Sequence, residues 1–143
     1  MSKFYKEYTS NCEEDTERIG TEFAKLLKKG DFIAFFGNLG SGKTAFVRGV
    51  ASVLCKDAHV SSPTYAIVNE YPGEIDVFHF DMYRITDDDS LYSVGFYDYL
   101  DRGGVIFTEW SENIDFALPE ERYNITFEKT GETSRKIKIQ YVE

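Results

Sequence analysis

An unbroken apolar run, Phe32 to Phe36, leads directly into a glycine-rich segment, Gly37 to Thr44, with the sequence GNLGSGKT. Five apolar residues that end at a glycine are typical of a short strand buried on both faces of a sheet. Apolar residues then recur at helical spacing from Phe46 to Leu54. Gly49 interrupts this helix at a cost of about 1 kcal/mol relative to alanine, which indicates close packing there. The order of strand, glycine turn and helix predicts an α/β protein.

The spacing inside the glycine-rich segment is Gly37-x-x-x-x-Gly42-Lys43-Thr44. Glycines allow backbone N–H groups to converge on an anion, and the start of the following helix adds its positive dipole end. In such a loop Lys43 reaches the β- and γ-phosphates of a nucleotide, and Thr44 places its hydroxyl on Mg²⁺. The alternative is a plain turn with a surface lysine, but the flanking strand and helix favour the phosphate loop.

The remaining periodicity completes a sheet with helices on it. Strands are expected at residues 4–9, 65–71, 75–80, 104–107, 123–127 and 136–142. A first helix contains Ile19, Phe23, Leu26 and Leu27. Another helix, capped by the TDDD segment at 86–89, contains Leu91, Val94 and Leu100. Turn residues predict two antiparallel hairpins. Together these features predict a P-loop NTPase-like three-layer α/β sandwich with a mixed, partly parallel central sheet, forming one domain over residues 1–143.

Two acidic residues follow strand-like runs. Asp81 comes after VFHF and Glu109 after VIFT. Open α/β sheets bind ligands at the carboxyl ends of their strands, where such acids can hold Mg²⁺ or orient a water molecule. From the local sequence alone, each acid is equally well explained as a solvated carboxylate at a strand end.

Other candidate residues carry weaker signals. His79, between two phenylalanines, is expected to be a half-buried strand residue rather than a catalyst. Trp110 either packs as a lid on the core or stacks on a ligand. Cys55 falls in an apolar helix and is expected to be buried packing, Cys12 is expected to be an ordinary residue before a helix, and neither fits a disulfide or metal role.

The net charge of −9 argues against direct binding of nucleic acid, because such binding depends on lysine and arginine neutralising phosphates. Any nucleic acid in this protein's pathway is therefore expected to be held by a partner. No apolar run approaches about 18 residues, and the N-terminus lacks the pattern of a signal peptide. We therefore expect a cytoplasmic protein with no membrane contact.

The phosphate loop alone does not name a reaction. No N-K-x-D guanine-recognition sequence follows it, which argues against a GTPase. Only two basic residues, Lys56 and Arg84, lie between Arg48 and Arg102. A small-molecule kinase usually has several arginines in a lid, so this class is the least favoured.

Several motifs in chain order resemble those of the TsaE family, the ATPase component of bacterial threonylcarbamoyl-adenosine synthesis in tRNA. The motifs cover nearly the whole chain and are GNLGSGKT (37–44), SPTYAIVNEY (62–71), HFDMYR (79–84), GFYDYL (95–100), TEWSENI (108–114) and LPE (118–120). Two positions depart from the family pattern: Asn38 replaces an aspartate and Ala45 replaces a threonine. Neither change removes a function of Lys43 or Thr44, although Asn38 is expected to alter turnover if the aspartate tunes the site.

The resemblance implies roles for individual residues. Lys43 and Thr44 would bind the ATP phosphates and Mg²⁺, and Thr64 would lie near the γ-phosphate. Asp81 and Glu109 would hold Mg²⁺ or orient the attacking water. The nucleotide would also contact Asn38, Leu39, Gly40, Ser41, Gly42, Ala45 and Trp110.

The resemblance also implies an activity. The chain would be a small ATPase that uses ATP/ADP and Mg²⁺, and its hydrolysis would be coupled to a TsaD–TsaB partner complex that holds the tRNA. The chain itself would not perform the threonylcarbamoyl transfer. The alternative is a nucleotide-sensing regulatory module that binds ATP or ADP and hydrolyses little.

Overall fold

The structure is a computed structural model that describes residues 2–37, 42–60 and 67–143. Seven strands form one sheet in the order β1-β7-β6-β2-β5-β4-β3. Pairing is parallel from β6 through β2 and β5 to β4 and antiparallel for the other neighbours, which confirms the predicted mixed sheet. The strands are β1 Ser2–Ser10, β2 Phe32–Gly37, β3 Val68–Tyr71, β4 Val77–Asp81, β5 Val105–Glu109, β6 Arg122–Lys129 and β7 Arg135–Val142.

Helical segments cover the two faces of this sheet. They are α1 Glu13–Ala24, α2 Lys43–Leu54, α3 Asp88–Ser93, α4 Phe96–Leu100 and a 3-10 helix Ser111–Ala117. The central strand β2 shows the layering directly, because its successive side chains point to opposite faces. Ile33 and Phe35 join the core under α1 and α2, whereas Phe32 and Ala34 join a second core under α3, α4 and the 3-10 helix. The predicted three-layer sandwich is therefore confirmed.

Two helix boundaries differ from the sequence-based prediction. The single helix expected to contain Leu91, Val94 and Leu100 is wrong, because Gly95 adopts φ 80° and separates α3 from α4. The predicted cap is present, since Asp87 accepts a hydrogen bond from the backbone N–H of Ser90. Helix α1 ends at Ala24, so Leu26 lies in the following turn and is exposed.

The cysteines behave as expected from their positions. Cys55 is buried, and its Sγ lies 3.2 Å from the carbonyl oxygen of Tyr71. Burial raises the pKa of the Cys55 thiol to about 11. Cys12 is partly exposed before α1, and both cysteines are free. Among the helices in the described ranges, none is long and apolar enough to cross a membrane.

Two glycines allow α1 and α2 to pack at very short range. A Cβ at Gly49 of α2 would overlap the backbone carbonyl of Glu17, and a Cβ at Gly20 of α1 would overlap the carbonyl of Phe46. The close packing predicted from Gly49 is therefore confirmed. Because α2 begins at Lys43, this contact also sets the position of the end of the phosphate loop.

We expect Gly49→Ala to lower the free energy of unfolding by about 1–3 kcal/mol, as overpacked substitutions do. The direction of the change in stability is informative, because replacing glycine with alanine in an uncrowded helix would instead stabilise the protein by about 1 kcal/mol. Urea denaturation measures the change. Glu22→Ala, at an exposed position on α1, should change the stability by less than about 0.5 kcal/mol. Equal or higher stability of Gly49→Ala would show that the two helices separate easily.

Candidate functional site

The two glycines that bound the described ends of the phosphate loop are required by the backbone. Gly37 has φ 129°, and a Cβ there would overlap the carbonyl oxygen of Phe127 on β6. Gly42, the residue before α2, has φ 101°. Residues with a Cβ are strained at these positive φ angles, so the backbone conformation explains why both positions of the motif are glycine. Asn38, Leu39, Gly40 and Ser41 lie outside the described residues.

Lys43 is the first residue of α2, and its side chain is buried, with 7% exposed. Its Nζ donates a hydrogen bond to the carbonyl oxygen of Gly37 at 2.7 Å. Burial lowers the pKa of Lys43, while the negative charges of Glu109, Glu112 and Asp81 act in the opposite direction. The disfavoured alternative of a plain turn with a surface lysine does not describe Lys43, because its side chain is buried. The ammonium group is held in a partly dehydrated position, where a bound anion gains more than it would in water.

Asp81 and Glu109 end two neighbouring parallel strands and are paired in register across them. Their side chains point to the face that carries α2, because they alternate with Phe80 and Thr108. Asp81 Oδ1 accepts a hydrogen bond from the backbone N–H of Tyr83 at 3.0 Å. Burial nevertheless raises the pKa of Asp81, and the nearby charge of Glu109 adds to that effect. Only 14% of the Glu109 side chain is exposed, so neither acid is a fully solvated carboxylate.

His79 is fully buried, not half-buried as predicted. Its Nε2 lies 2.6 Å from Oε2 of Glu109. The rings of Phe35 and Phe107 approach the imidazole edge-on, with centroids at 6.2 and 6.5 Å. The only signal in the sequence was a polar residue in an apolar strand two positions before Asp81, and that pattern does not reveal a contact with a different strand.

Trp110 follows Glu109 and turns the chain away from the sheet. It has φ 58°, the one positive φ outside glycine among the described residues. Such a conformation costs free energy and is found preferentially at functional sites. The indole is about one-third exposed, and its ring centroid lies 5.0 Å from that of the exposed Tyr83. Trp110 therefore packs against a surface residue beside Glu109, and the lid over the core is not observed.

A buried hydroxyl pair anchors the turn that carries Glu109 and Trp110. Ser111 Oγ lies 2.8 Å from Thr108 Oγ1 and 3.0 Å from the carbonyl oxygen of Phe35 on β2. Both hydroxyls are inaccessible to solvent. These contacts tie the end of β5 to the strand that precedes the phosphate loop. Neither hydroxyl residue was predicted from the sequence, although the two flank the Glu-Trp pair.

A second hydroxyl pair supports the loop from α1. Ser10 Oγ donates to the carbonyl oxygen of Cys12, so the 2.7 Å contact between Ser10 and Thr16 is a hydrogen bond donated by Thr16. The Thr16 methyl group lies directly against Gly42, 3.4 Å from where a Cβ would stand. Thr16 was not selected from the sequence, because nothing local indicates that it contacts a residue 26 positions away.

The structure thus brings Lys43, Asp81 and Glu109 into electrostatic contact at one edge of the sheet. Thr44 lies in the first turn of α2 and is partly exposed, while Ala45 is buried. Thr64 lies outside the described residues. Among the described residues, no three histidine, cysteine, aspartate or glutamate side chains form a metal cluster. A hydroxyl and two carboxylates fit Mg²⁺, which proteins hold through one or two carboxylates together with substrate phosphates.

A strand, glycine turn and helix beside two strand-end acids, in a sheet of this order, define a P-loop-like α/β protein. A family model described as threonylcarbamoyl adenosine biosynthesis protein TsaE matches residues 10–137. The chain belongs to the TsaE family.

Individual relatives agree with this assignment. A protein of Bacillus subtilis named tRNA threonylcarbamoyladenosine biosynthesis protein TsaE is 36% identical over 125 residues, covering 87% of this chain and 78% of the relative. The protein of the same name from Treponema pallidum is 31% identical and covers 91% of this chain and 96% of the relative. Among solved structures, the crystal structure of YdiB from Bacillus subtilis aligns with a TM-score of 0.81 at 30% identity, covering all of this chain and 88% of that one.

We expect Lys43→Met to raise the free energy of unfolding at pH 7 by about 0.5–2 kcal/mol, the usual range of stabilising substitutions. The lowered pKa means that the folded protein binds this proton less tightly than the unfolded chain, so the charge destabilises the fold below the folded-state pKa. Urea denaturation without nucleotide tests this. Lys56→Met, an exposed lysine just after α2, is the control and should be neutral. Destabilisation by Lys43→Met alone would mean that its hydrogen bond to the Gly37 carbonyl and its attraction to the nearby acids outweigh its burial.

Asp81→Asn should also stabilise the nucleotide-free protein at pH 7, by about 0.5–1 kcal/mol. The raised pKa of Asp81 means that its charge destabilises the fold above that pKa. This penalty disappears as the pH falls towards about 3.9, the pKa of an unfolded aspartate. Asparagine keeps an acceptor for the Tyr83 N–H. Urea denaturation at pH 7 and pH 4 in EDTA should therefore show a gain that shrinks at pH 4, with exposed Asp115→Asn neutral. A gain independent of pH would contradict this cause.

Proposed function

We propose that this protein is a small ATPase that binds ATP and Mg²⁺ at the edge of the sheet and whose hydrolysis supports tRNA threonylcarbamoyladenosine modification. The observation that carries the proposal is the convergence of the buried Lys43 ammonium with Asp81 and Glu109. A cation for phosphates and two acids for a metal and a water are the groups that phosphoryl transfer to water requires. The family match and the names of the relatives supply the pathway.

Each residue has a defined task in this proposal. Lys43 binds the terminal phosphates, and Thr44 with the two acids holds Mg²⁺. The metal ion neutralises charge on the phosphates when bound. One Asp81 oxygen is engaged by the Tyr83 N–H, which leaves the other for the site. Asp81 and Glu109 hold the metal and orient the attacking water between them, and Trp110 borders the nucleotide beside Glu109.

The partner in this proposal is a TsaD–TsaB complex, with tRNA reached only through that complex. The net charge of −9 supports this division, because an acidic protein repels the phosphate backbone. The turnover of ATP by the protein alone should be slow, since docking completes the site. Nucleotide binding and hydrolysis then change the fit between the partners and reset them between rounds of modification.

The test is ATP turnover by the protein alone and with TsaD–TsaB, alongside Lys43→Ala and Glu109→Gln. We expect the partner complex to stimulate turnover. Glu109→Gln should retain ADP binding but lose about 100-fold or more in kcat, as loss of a positioned acid–base group does. Lys43→Ala should lose nucleotide affinity. Glu22→Gln, the same chemical change at an exposed position on α1, should leave both properties unchanged.

The same variants distinguish the ATPase from the nucleotide-sensing alternative. A sensor would bind nucleotide tightly and would turn over no ATP with or without partners. Its Glu109→Ala variant would support tRNA modification as well as the wild-type protein does. An ATPase loses that support while still binding nucleotide. If modification proceeds for many turnovers when this protein is omitted, the coupling itself is refuted.

A further inference from the structure

The buried imidazole of His79 faces the same layer as the proposed catalytic groups. Its strand neighbours Phe78 and Phe80 belong to the core under α3 and α4, so His79 points to the opposite face, where α2 lies. Phe107, its register partner on β5, belongs to the core on that α2 face. Glu109 is two residues beyond Phe107 and also points to this face. His79 is therefore a diagonal cross-strand neighbour of Glu109.

The contact between the two side chains joins atoms that have no other partner among the described residues. His79 Nε2 and Glu109 Oε2 are 2.6 Å apart, and both atoms are buried. The N–H direction departs from the line of a good hydrogen bond, so neither atom is satisfied as placed. Donation from Nε2–H to Oε2 requires the carboxylate or the imidazole to rotate until the N–H points at this oxygen. The rings of Phe35 and Phe107 pack edge-on against the imidazole, and its Nδ1 is also buried without a hydrogen-bond partner among the described residues.

We propose that His79 is a positioning residue for Glu109: its Nε2–H donates to Oε2 and thereby turns Oε1 towards Asp81, Lys43 and the nucleotide. This inference rests on the proposed function and deepens it. A glutamate side chain has three rotatable bonds, and one buried hydrogen bond to a ring held between two aromatic side chains removes most of that freedom. The proton is assigned to Nε2 because that nitrogen meets the carboxylate.

His79 acts only through Glu109 in this proposal, and this separates it from a residue that merely fills space. Glutamine places an amide nitrogen close to the position of Nε2, whereas the shorter asparagine does not reach it. His79→Gln and His79→Asn are therefore a matched polar pair that differs by one methylene group. His79→Leu fills the volume without a donor. Each variant is also made in the Glu109→Ala background, which removes the acceptor.

The first measurement is kinetic. With TsaD–TsaB present, His79→Asn and His79→Leu should lower kcat by roughly 10–100-fold, the range found for groups that orient metal ligands. The KM for ATP should stay within about twofold, since the phosphate loop is untouched. His79→Gln should recover most of kcat. Equal losses in His79→Gln and His79→Asn, or a rise in KM without a fall in kcat, would overturn the proposal.

The second measurement does not depend on turnover. Trp110 is the single tryptophan and follows Glu109 directly, so its fluorescence reports on Mg²⁺ binding to the ADP complex. His79→Asn should weaken Mg²⁺ binding by roughly 10-fold or more while Glu109 is present. It should have no further effect in the Glu109→Ala background, where no side-chain oxygen remains to accept the His79 hydrogen bond. Equal effects in both backgrounds would show that His79 acts independently of Glu109.

A double-mutant cycle on urea unfolding of the nucleotide-free protein separates this inference from the proposed function. Coupling between positions 79 and 109 supports the contact even if the wild-type protein turns over no ATP, in which case only the ATPase assignment fails. Strictly additive effects, with His79→Gln no better than His79→Asn, would refute the positioning role even if the ATPase activity is established.

Discussion

Parallel pairing of β2 with β5, and of β5 with β4, places the carboxyl ends of three strands at one edge of the sheet. Every group of the candidate site depends on this alignment. The end of β2 leads to Lys43, the end of β4 presents Asp81, and the end of β5 presents Glu109. Antiparallel pairing at these positions would send one of the acids to the opposite edge, about the length of a strand away. The antiparallel strands accordingly lie outside this group, where they close the sheet on either side.

The candidate site contains a positive and a negative side chain whose partial burial disfavours their charged forms. Lys43 and Asp81 each have a pKa displaced towards the neutral form by burial, although they lie within electrostatic reach of each other. Their mutual attraction therefore does not compensate fully for the loss of water. Such an arrangement lowers the stability of the empty protein and raises the gain on binding a ligand that carries both phosphate oxygens and a metal ion. Membership of the TsaE family gives this arrangement a biological setting in tRNA modification.

The parts of the fold that sequence analysis predicted correctly are those specified by local periodicity. The strand Phe32 to Phe36 is a continuous apolar run, the helix after Gly42 has apolar residues at helical spacing, and the strands of the terminal hairpin alternate. The errors arise where one glycine decides the outcome, as at Gly95, whose positive φ divides one predicted helix into α3 and α4. Contacts between distant residues were invisible: His79 with Glu109, Ser111 with Phe35, and Thr16 with Gly42. The phosphate loop is recognisable from its sequence motif, but the side chains that position this loop and the two strand-end acids are not.

The hydroxyl pair formed by Ser10 and Thr16 has a consequence for how the protein tolerates rearrangement. Strand β1 is an edge strand of the described sheet and pairs with β7, so its position alone does not suggest a role in the candidate site. Its last residue nevertheless holds Thr16, and Thr16 lies beneath Gly42. Removing, permuting or exchanging the first strand between copies would therefore take away the hydroxyl group that holds Thr16 against Gly42.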